Sequence, residues 1–255
     1  MQMLRGKSRR WKLIAAGIAA VLLSLVGYLS YWSSTNAAML RLLPDSLPSN
    51  PALYRFAVAE GQSVFNQNCA SCHGRDLQGS QTNGVPKLTD RDWLYGEGRL
   101  SEIEQIALYG IRSANHRTKN LADMPAFGRQ KPYARYDLAP LTTAEISDIV
   151  SYIELAQGRS PDMAAVKRGI DLFDRKGQCF DCHGNDMGGD NYIGAPMLSD
   201  KIWLYGDGSR ETITRTIEQG LMSVCPMFKD KISPAKIRAV AAYVHSKAPV
   251  SPPAD

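Results

Sequence analysis

The sequence predicts an all-α protein: two tandem helical domains behind a single membrane-spanning helix. Three observations carry that expectation. One stretch of the chain occurs twice, in register, at an offset of 110 residues. Each copy is flanked by apolar residues at helical rather than alternating spacing. Residues 13–32 form a run of 20 residues without a charge.

The elements follow in order. Residues 1–12 hold Arg5, Lys7, Arg9, Arg10 and Lys12 and no acid. Residues 13–32 as a helix are about 30 Å long, enough to cross a bilayer core. The basic flank predicts a cytoplasmic N-terminus, and Tyr28, Tyr31 and Trp32 suit the far interface. A retained anchor is expected; the rival is a signal peptide cut near Thr35-Asn36-Ala37. Residues 33–53, with Pro44, Pro48 and Pro51, read as a linker. A first domain is expected over residues 54–158. Its first helix carries Gly61 and Phe65 on one face, and residues 101–109 form a short amphipathic helix. Its last helix opens with the capping box Thr142-Thr143-Ala144-Glu145. A second domain over residues 159–248 repeats the order. Gly169 and Phe173 lie on its first helix, residues 211–219 form the next, and Ser233-Pro234 opens the last. Residues 249–255 are a tail.

Composition excludes one class of partner. The net charge is +5, but without the five basic residues of the N-terminal segment the chain has 25 basic and 25 acidic residues. No general basic surface for nucleic acid remains.

The repeat carries the chemistry. Cys69-Ala-Ser-Cys72-His73 and Cys179-Phe-Asp-Cys182-His183 are two CxxCH motifs, the attachment signature of c-type haem. Each pair of cysteines suits thioethers to haem vinyl groups, and His73 and His183 suit the proximal side of the iron. Two covalently bound haem c groups are therefore expected. The five cysteines then divide into two pairs and a single Cys225.

With CxxCH, a Gly-x-x-x-Phe first helix and a last helix bearing Tyr152 or Tyr243, each half resembles a class I cytochrome c. The phrases Pro86-Lys-Leu-Thr-Asp-Arg-Asp-Trp-Leu-Tyr-Gly96 and Pro196-Met-Leu-Ser-Asp-Lys-Ile-Trp-Leu-Tyr-Gly206 narrow this. They resemble the dihaem subunit III of cbb3-type cytochrome c oxidases. The resemblance implies two tandem cytochrome c domains on a membrane anchor, passing single electrons from a donor towards the oxidase. It implies covalent attachment at Cys69, Cys72, Cys179 and Cys182. It also places Trp93, Tyr95, Trp203 and Tyr205 around the haem edge and propionates, where aromatic packing is the alternative.

The distal ligands differ between the halves. Met124, in Asp123-Met124-Pro125, matches the family's Met-Pro motif and is expected on the first haem, with His116 as the rival. Aligning Pro226 with Pro125 puts Cys225 where Met124 stands, so Cys225 is expected on the second haem. Met227, Met222 or an open site are the alternatives. The nine extra residues of the first half map to the loop around His116. His245, on the last helix, reads as an exposed or capping residue.

The leading functional expectation is an electron-transfer protein of the inner membrane, single-pass, with its haem domains in the periplasm. A quinol-oxidising complex or a dehydrogenase would be the donor and a terminal oxidase the acceptor. No catalytic residue is expected. The alternatives are a sulfur-compound-oxidising dihaem enzyme using a cysteine-ligated haem, an electron-transfer subunit of a periplasmic dehydrogenase, and a redox sensor.

Overall fold

The computed structural model describes residues 2–135 and 137–248, with side chains from residue 11 onward. The expected tail and the side chains of residues 1–10 lie outside the described residues. Among the described residues there are helices and isolated bridges but no sheet.

The first helix, α1, runs unbroken over Gln2–Arg41. Its segment Trp11–Arg41 is long and apolar enough to cross a membrane. Leu13, Val21, Leu23 and Val26 are all more than half exposed, so this surface has no partner among the described residues. The linker expected over residues 33–53 is instead folded. Asn36 and Met39 are buried, and Pro44–Ser49 is a 3-10 helix that buries Leu47. The prolines do not interrupt helices there. Pro44 and Pro51 open theirs, at positions whose N–H would have no intrahelical acceptor. The second helix, α2 (Pro51–Asn68), thus starts at Pro51, capped by the Asn50 side chain on the Leu53 N–H.

The remaining helices are α3 (Ala70–His73), α4 (Leu100–Tyr109), α5 (Thr143–Ala156), α6 (Met163–Asp171), α7 (Phe180–His183), α8 (Arg210–Gln219) and α9 (Pro234–Lys247). A turn of π-helix, Leu172–Lys176, extends α6. The expected caps form: the Thr142–Glu145 box opens α5, and Ser233 with Pro234 opens α9.

Packing does not follow sequence order. The first helix of the first half, α2, lies along α9, the last helix of the chain. The contact is close because Gly61 has no side chain: a Cβ there would meet the Ala239 carbonyl oxygen at 2.0 Å. Phe65 then packs on Tyr243 with ring centroids 5.4 Å apart. In the same way α6 lies along α5, with Gly169 against the Asp148 carbonyl and Phe173 edge-on to Tyr152 at 5.5 Å. The six residues between α5 and α6 favour this hairpin, because short loops join antiparallel neighbours. Helix α4 joins α9, and α8 joins α5.

The two cores have corresponding memberships. One combines Leu47, Ala57, Phe65, Leu77, Leu100 and Ile103 with Val240, Ala241 and Tyr243. The other combines Phe127, Ile146, Ile149 and Val150 with Phe173, Met187, Ile213 and Ile217. The expected domains 54–158 and 159–248 are therefore not the packing units. An outer unit combines residues 44–110 with residues 225–247. An inner unit, residues 123–220, is inserted within it, and its C-terminal-type helix precedes its N-terminal-type one.

The two units meet across an approximate two-fold. Gly96 N–H donates to the Asn191 carbonyl at 2.9 Å, and Gly206 N–H, 110 residues on, donates to the Gln81 carbonyl at 3.1 Å. The crossing point is a two-residue antiparallel bridge. Ile111 N–H donates to Cys225 O at 2.9 Å, and Cys225 N–H to Ile111 O at 3.0 Å.

Candidate haem sites

Each CxxCH motif folds as one helical turn, α3 or α7, closed by a glycine at positive φ: Gly74 at 74° and Gly184 at 72°. That turn returns the chain at once, so the loop beyond it passes the histidine. His73 Nδ1 lies 3.2 Å from the Pro86 carbonyl, and His183 Nδ1 lies 2.9 Å from the Pro196 carbonyl. A carbonyl only accepts, so Nδ1 carries the proton and Nε2 keeps its lone pair. Burial also lowers both imidazole pKa values, which favours the neutral form that binds metal. This is the arrangement in which a protein fixes a ligating histidine through its other nitrogen. Pro86 and Pro196 stand out in the sequence only as shared positions of the repeat; their carbonyls are what matter.

All five cysteines are free thiols. Burial pushes Cys69 up to about 12, with repulsion from Cys225 and Cys72 adding to it. Burial likewise pushes Cys179 up to about 12. At neutral pH these are neutral thiols, the form that adds across a vinyl group with its hydrogen retained in the product.

The fold separates the expected ligand pairs. Met124 packs on the inner core with Cys179 and Phe173, the unit that contains His183. Cys225 instead bridges Ile111 beside the outer unit and acts electrostatically on Cys69 and Cys72. The reason is the exchange of C-terminal halves, which carries each distal segment across with its helix. The two segments are equivalent in their new places. Phe127 N–H bonds the Ile217 carbonyl of α8, and Phe228 N–H bonds the Ala107 carbonyl of α4, the same repeat position. A Cβ on Gly220 would meet Met124 O at 2.5 Å, and one on Gly110 would meet Cys225 O at 2.4 Å.

The remaining candidates are also placed. His116 is exposed and Met222 is half exposed, each on a loop. Met227 Sδ accepts from Asn115 Nδ2 at 3.8 Å. The loop carrying Asn115 and His116 therefore lies beside Met227. His245 is half-buried, and its Nδ1 is 2.9 Å from the Tyr54 hydroxyl.

Trp93 packs on the outer core and Trp203 on the inner core. The tyrosines cross the seam. The Tyr95 ring fills the space above Gly194, and the Tyr205 ring the space above Gly84. Both hydroxyls are buried, that of Tyr95 beside Arg112 and that of Tyr205 beside Ser223. Arg112 acts on both electrostatically while its guanidinium holds Asp123 at 3.0 Å and the Ser223 carbonyl at 2.9 Å. Arg112 sits at the crossing with φ of 51°, and the sequence alone gave no reason to single it out.

The residues present fit two haem groups. Two neutral imidazoles are oriented by carbonyls, and four thiols stand in pairs beside them. Residues that hold a haem by thioether and imidazole, within helices of this order, define a cytochrome c. The family model for cytochrome c matches residues 58–156, and that for cbb3-type cytochrome c oxidase subunit III matches residues 164–244. The chain is 35% identical over 215 residues to the cbb3-type cytochrome c oxidase subunit FixP of Azorhizobium caulinodans, covering 84% of this chain and 68% of that one. It is 37% identical over 204 residues to FixP of a Bradyrhizobium strain, covering 78% and 64%. It is 35% identical over 200 residues to subunit CcoP of Cereibacter sphaeroides, again covering 78% and 64%. The chain belongs to this family of cbb3-type oxidase subunits, and it spans about two thirds of the length of these relatives.

Proposed function

We propose that this chain is a membrane-anchored dihaem c-type cytochrome that relays single electrons on the periplasmic side, within or towards a terminal oxidase. The observation that carries the reading is the pair of proximal half-sites, each a CxxCH whose histidine is fixed by a proline carbonyl. Cys69 and Cys72 attach one haem and Cys179 and Cys182 the other, with His73 and His183 as proximal ligands. The haem supplies reversible one-electron chemistry; the protein sets potential and access through ligands and burial. A quinol-oxidising complex or a dehydrogenase is the donor. Helix α1 supplies the anchor, and its basic N-terminal flank supports a cytoplasmic start and periplasmic haems.

The test has three parts. The alkaline pyridine spectrum of the purified chain should give two haem c per polypeptide. A periplasm-only reporter fused after residue 248 should be active. Membranes carrying the chain should reduce the oxidase's haems from a reduced donor, and Cys69→Ala with Cys72→Ala should slow this at least tenfold. One haem or none, or full transfer in that variant, defeats the reading.

A further inference from the structure

We propose that Arg112 is a positioning residue shared by the two haem sites: its one guanidinium fastens the distal segments of both, at residues 122–123 and at residue 223, and its charge holds both midpoint potentials up together. This rests on the haem reading above.

The geometry is that of a clamp. Arg112 Nε donates to the Asp123 carboxylate at 3.0 Å, and Nη2 donates to the Ala122 carbonyl at 3.3 Å. Nη1 donates to the Ser223 carbonyl at 2.9 Å. Met124 directly follows the first two acceptors, and Cys225 lies two residues past the third. A planar fork reaches acceptors on two separate segments at once, where an ammonium would act as a point charge. The backbone is held too. Arg112 N–H donates to the Lys119 carbonyl at 3.0 Å, and its neighbour Ile111 forms the bridge to Cys225.

The repeat brings out the asymmetry. Gly110-Ile-Arg112-Ser matches Gly220-Leu-Met222-Ser at the same offset of 110, so the counterpart of Arg112 is Met222. Met222 is half exposed and uncharged, whereas the Arg112 side chain is largely buried. Arg112 also takes a φ of 51°, a conformation that disfavours side chains and that Met222 does not share. An approximate two-fold brings both distal segments to one point, so a single side chain there meets both. Tyr95 and Tyr205 cross the seam beside it, and Arg112 acts electrostatically on each.

The charge is not cancelled where it stands. Asp123 is shared with Arg135 at 3.3 Å, so two guanidiniums and one carboxylate keep one positive charge between them. Oxidation adds a positive charge at the iron, and a fixed cation opposes it, more strongly where water is excluded. Arg112 thus raises both potentials and leaves the gap between them little changed.

The experiment uses the intact dihaem chain. Its haem content is measured first; a parent chain without two haems defeats the haem reading rather than the clamp. Spectroelectrochemical titration then gives both midpoints. Arg112→Gln should lower both by about 59 mV, a tenfold gain in ferric preference. Arg112→Lys should return at least half of each shift. Asp123→Asn should raise both midpoints, because it removes the opposing charge. Loosening of the fold alone would move all the variants in one direction. The low-spin ferric signals in electron paramagnetic resonance read the axial geometry, and Arg112→Gln should alter both. A change confined to one haem, no change, or a shift of the same sign in Arg112→Gln and Asp123→Asn overturns the proposal. Where Arg112→Gln fails to retain two haems, Asp123→Asn decides alone: a rise in both midpoints supports the proposal, and any other result overturns it.

Discussion

Cys225 is the residue at which the two sites part. Burial pushes its thiol up to about 11, with repulsion from Cys72 adding, so the free side chain is neutral at pH 7. Only a nearby cation would hold it as thiolate. A thiolate on iron favours the ferric state, and each tenfold of that preference lowers a one-electron potential by about 59 mV. Replacing it by the residue found at Met124 tests the point. Cys225→Met should raise one midpoint by ~120 mV for a hundredfold loss of ferric preference, leaving the other unmoved in a spectroelectrochemical titration. Asp92 offers a pH test at the same scale. Burial, then Asp200 and Asp90, raise its carboxyl to about 6 from an ordinary 3.8. The folded state therefore binds the proton more tightly than the unfolded chain. Stability should rise as pH falls from 7 through 6 towards 4, and Asp92→Asn should flatten that slope in denaturant titrations. The motif residues were legible in sequence because CxxCH is local. Arg112, Asn115 and the proline carbonyls were not, because their roles exist only across the fold.

Among elements, the helix crossings set what the fold tolerates. Gly61 and Gly169 sit where a Cβ would fall 2.0 Å from Ala239 O and 2.2 Å from Asp148 O. Gly61→Ala should cost about 1–3 kcal/mol by forcing α2 and α9 apart. Thermal unfolding of the holoprotein measures this. The end of α1 is held by a second device. Arg238 on α9 is buried, pairs Glu104 of α4 at 2.6 Å, and donates to the Met39 and Leu42 carbonyls. It thus ties the end of α1 to two helices of the outer unit. Arg238→Leu should cost about 3–5 kcal/mol by stranding Glu104, and the added Glu104→Leu should recover much of it. Helix positions and caps were legible because Gly-x-x-x-Phe and the capping box are short-range patterns. The segment before α2 reads as a linker in sequence because prolines commonly mark breaks. Pro44 and Pro51 open helices instead, Pro48 lies within one, and the apolar side chains that bury there, Met39 and Leu47, are too widely spaced to show a period.

For the molecule as a whole, the order of assembly differs from the order of sequence. A repeat reveals that two units exist but not which half of each pairs with which, since either pairing satisfies the same local patterns. The short loop between α5 and α6 was the available signal. A fragment of residues 121–222 contains every described part of the inner unit, whereas residues 54–158 contain half of each. The first fragment, exported with haem-attachment machinery, should fold with one haem. The second should remain protease-sensitive. Folding of the second and not the first would contradict the nesting.

The nesting also bears on biogenesis. On the proposed orientation the first CxxCH motif crosses the membrane before the second, yet its unit waits for α9, which follows the whole inner unit in sequence. The inner unit can close as soon as α8 has crossed. Maturation should therefore run opposite to synthesis, with the second motif the first to become protected in a pulse-labelled chain. Until α9 arrives, the His73 site stands open to whatever attaches, inspects or degrades it, which makes this one helix a checkpoint for the outer unit.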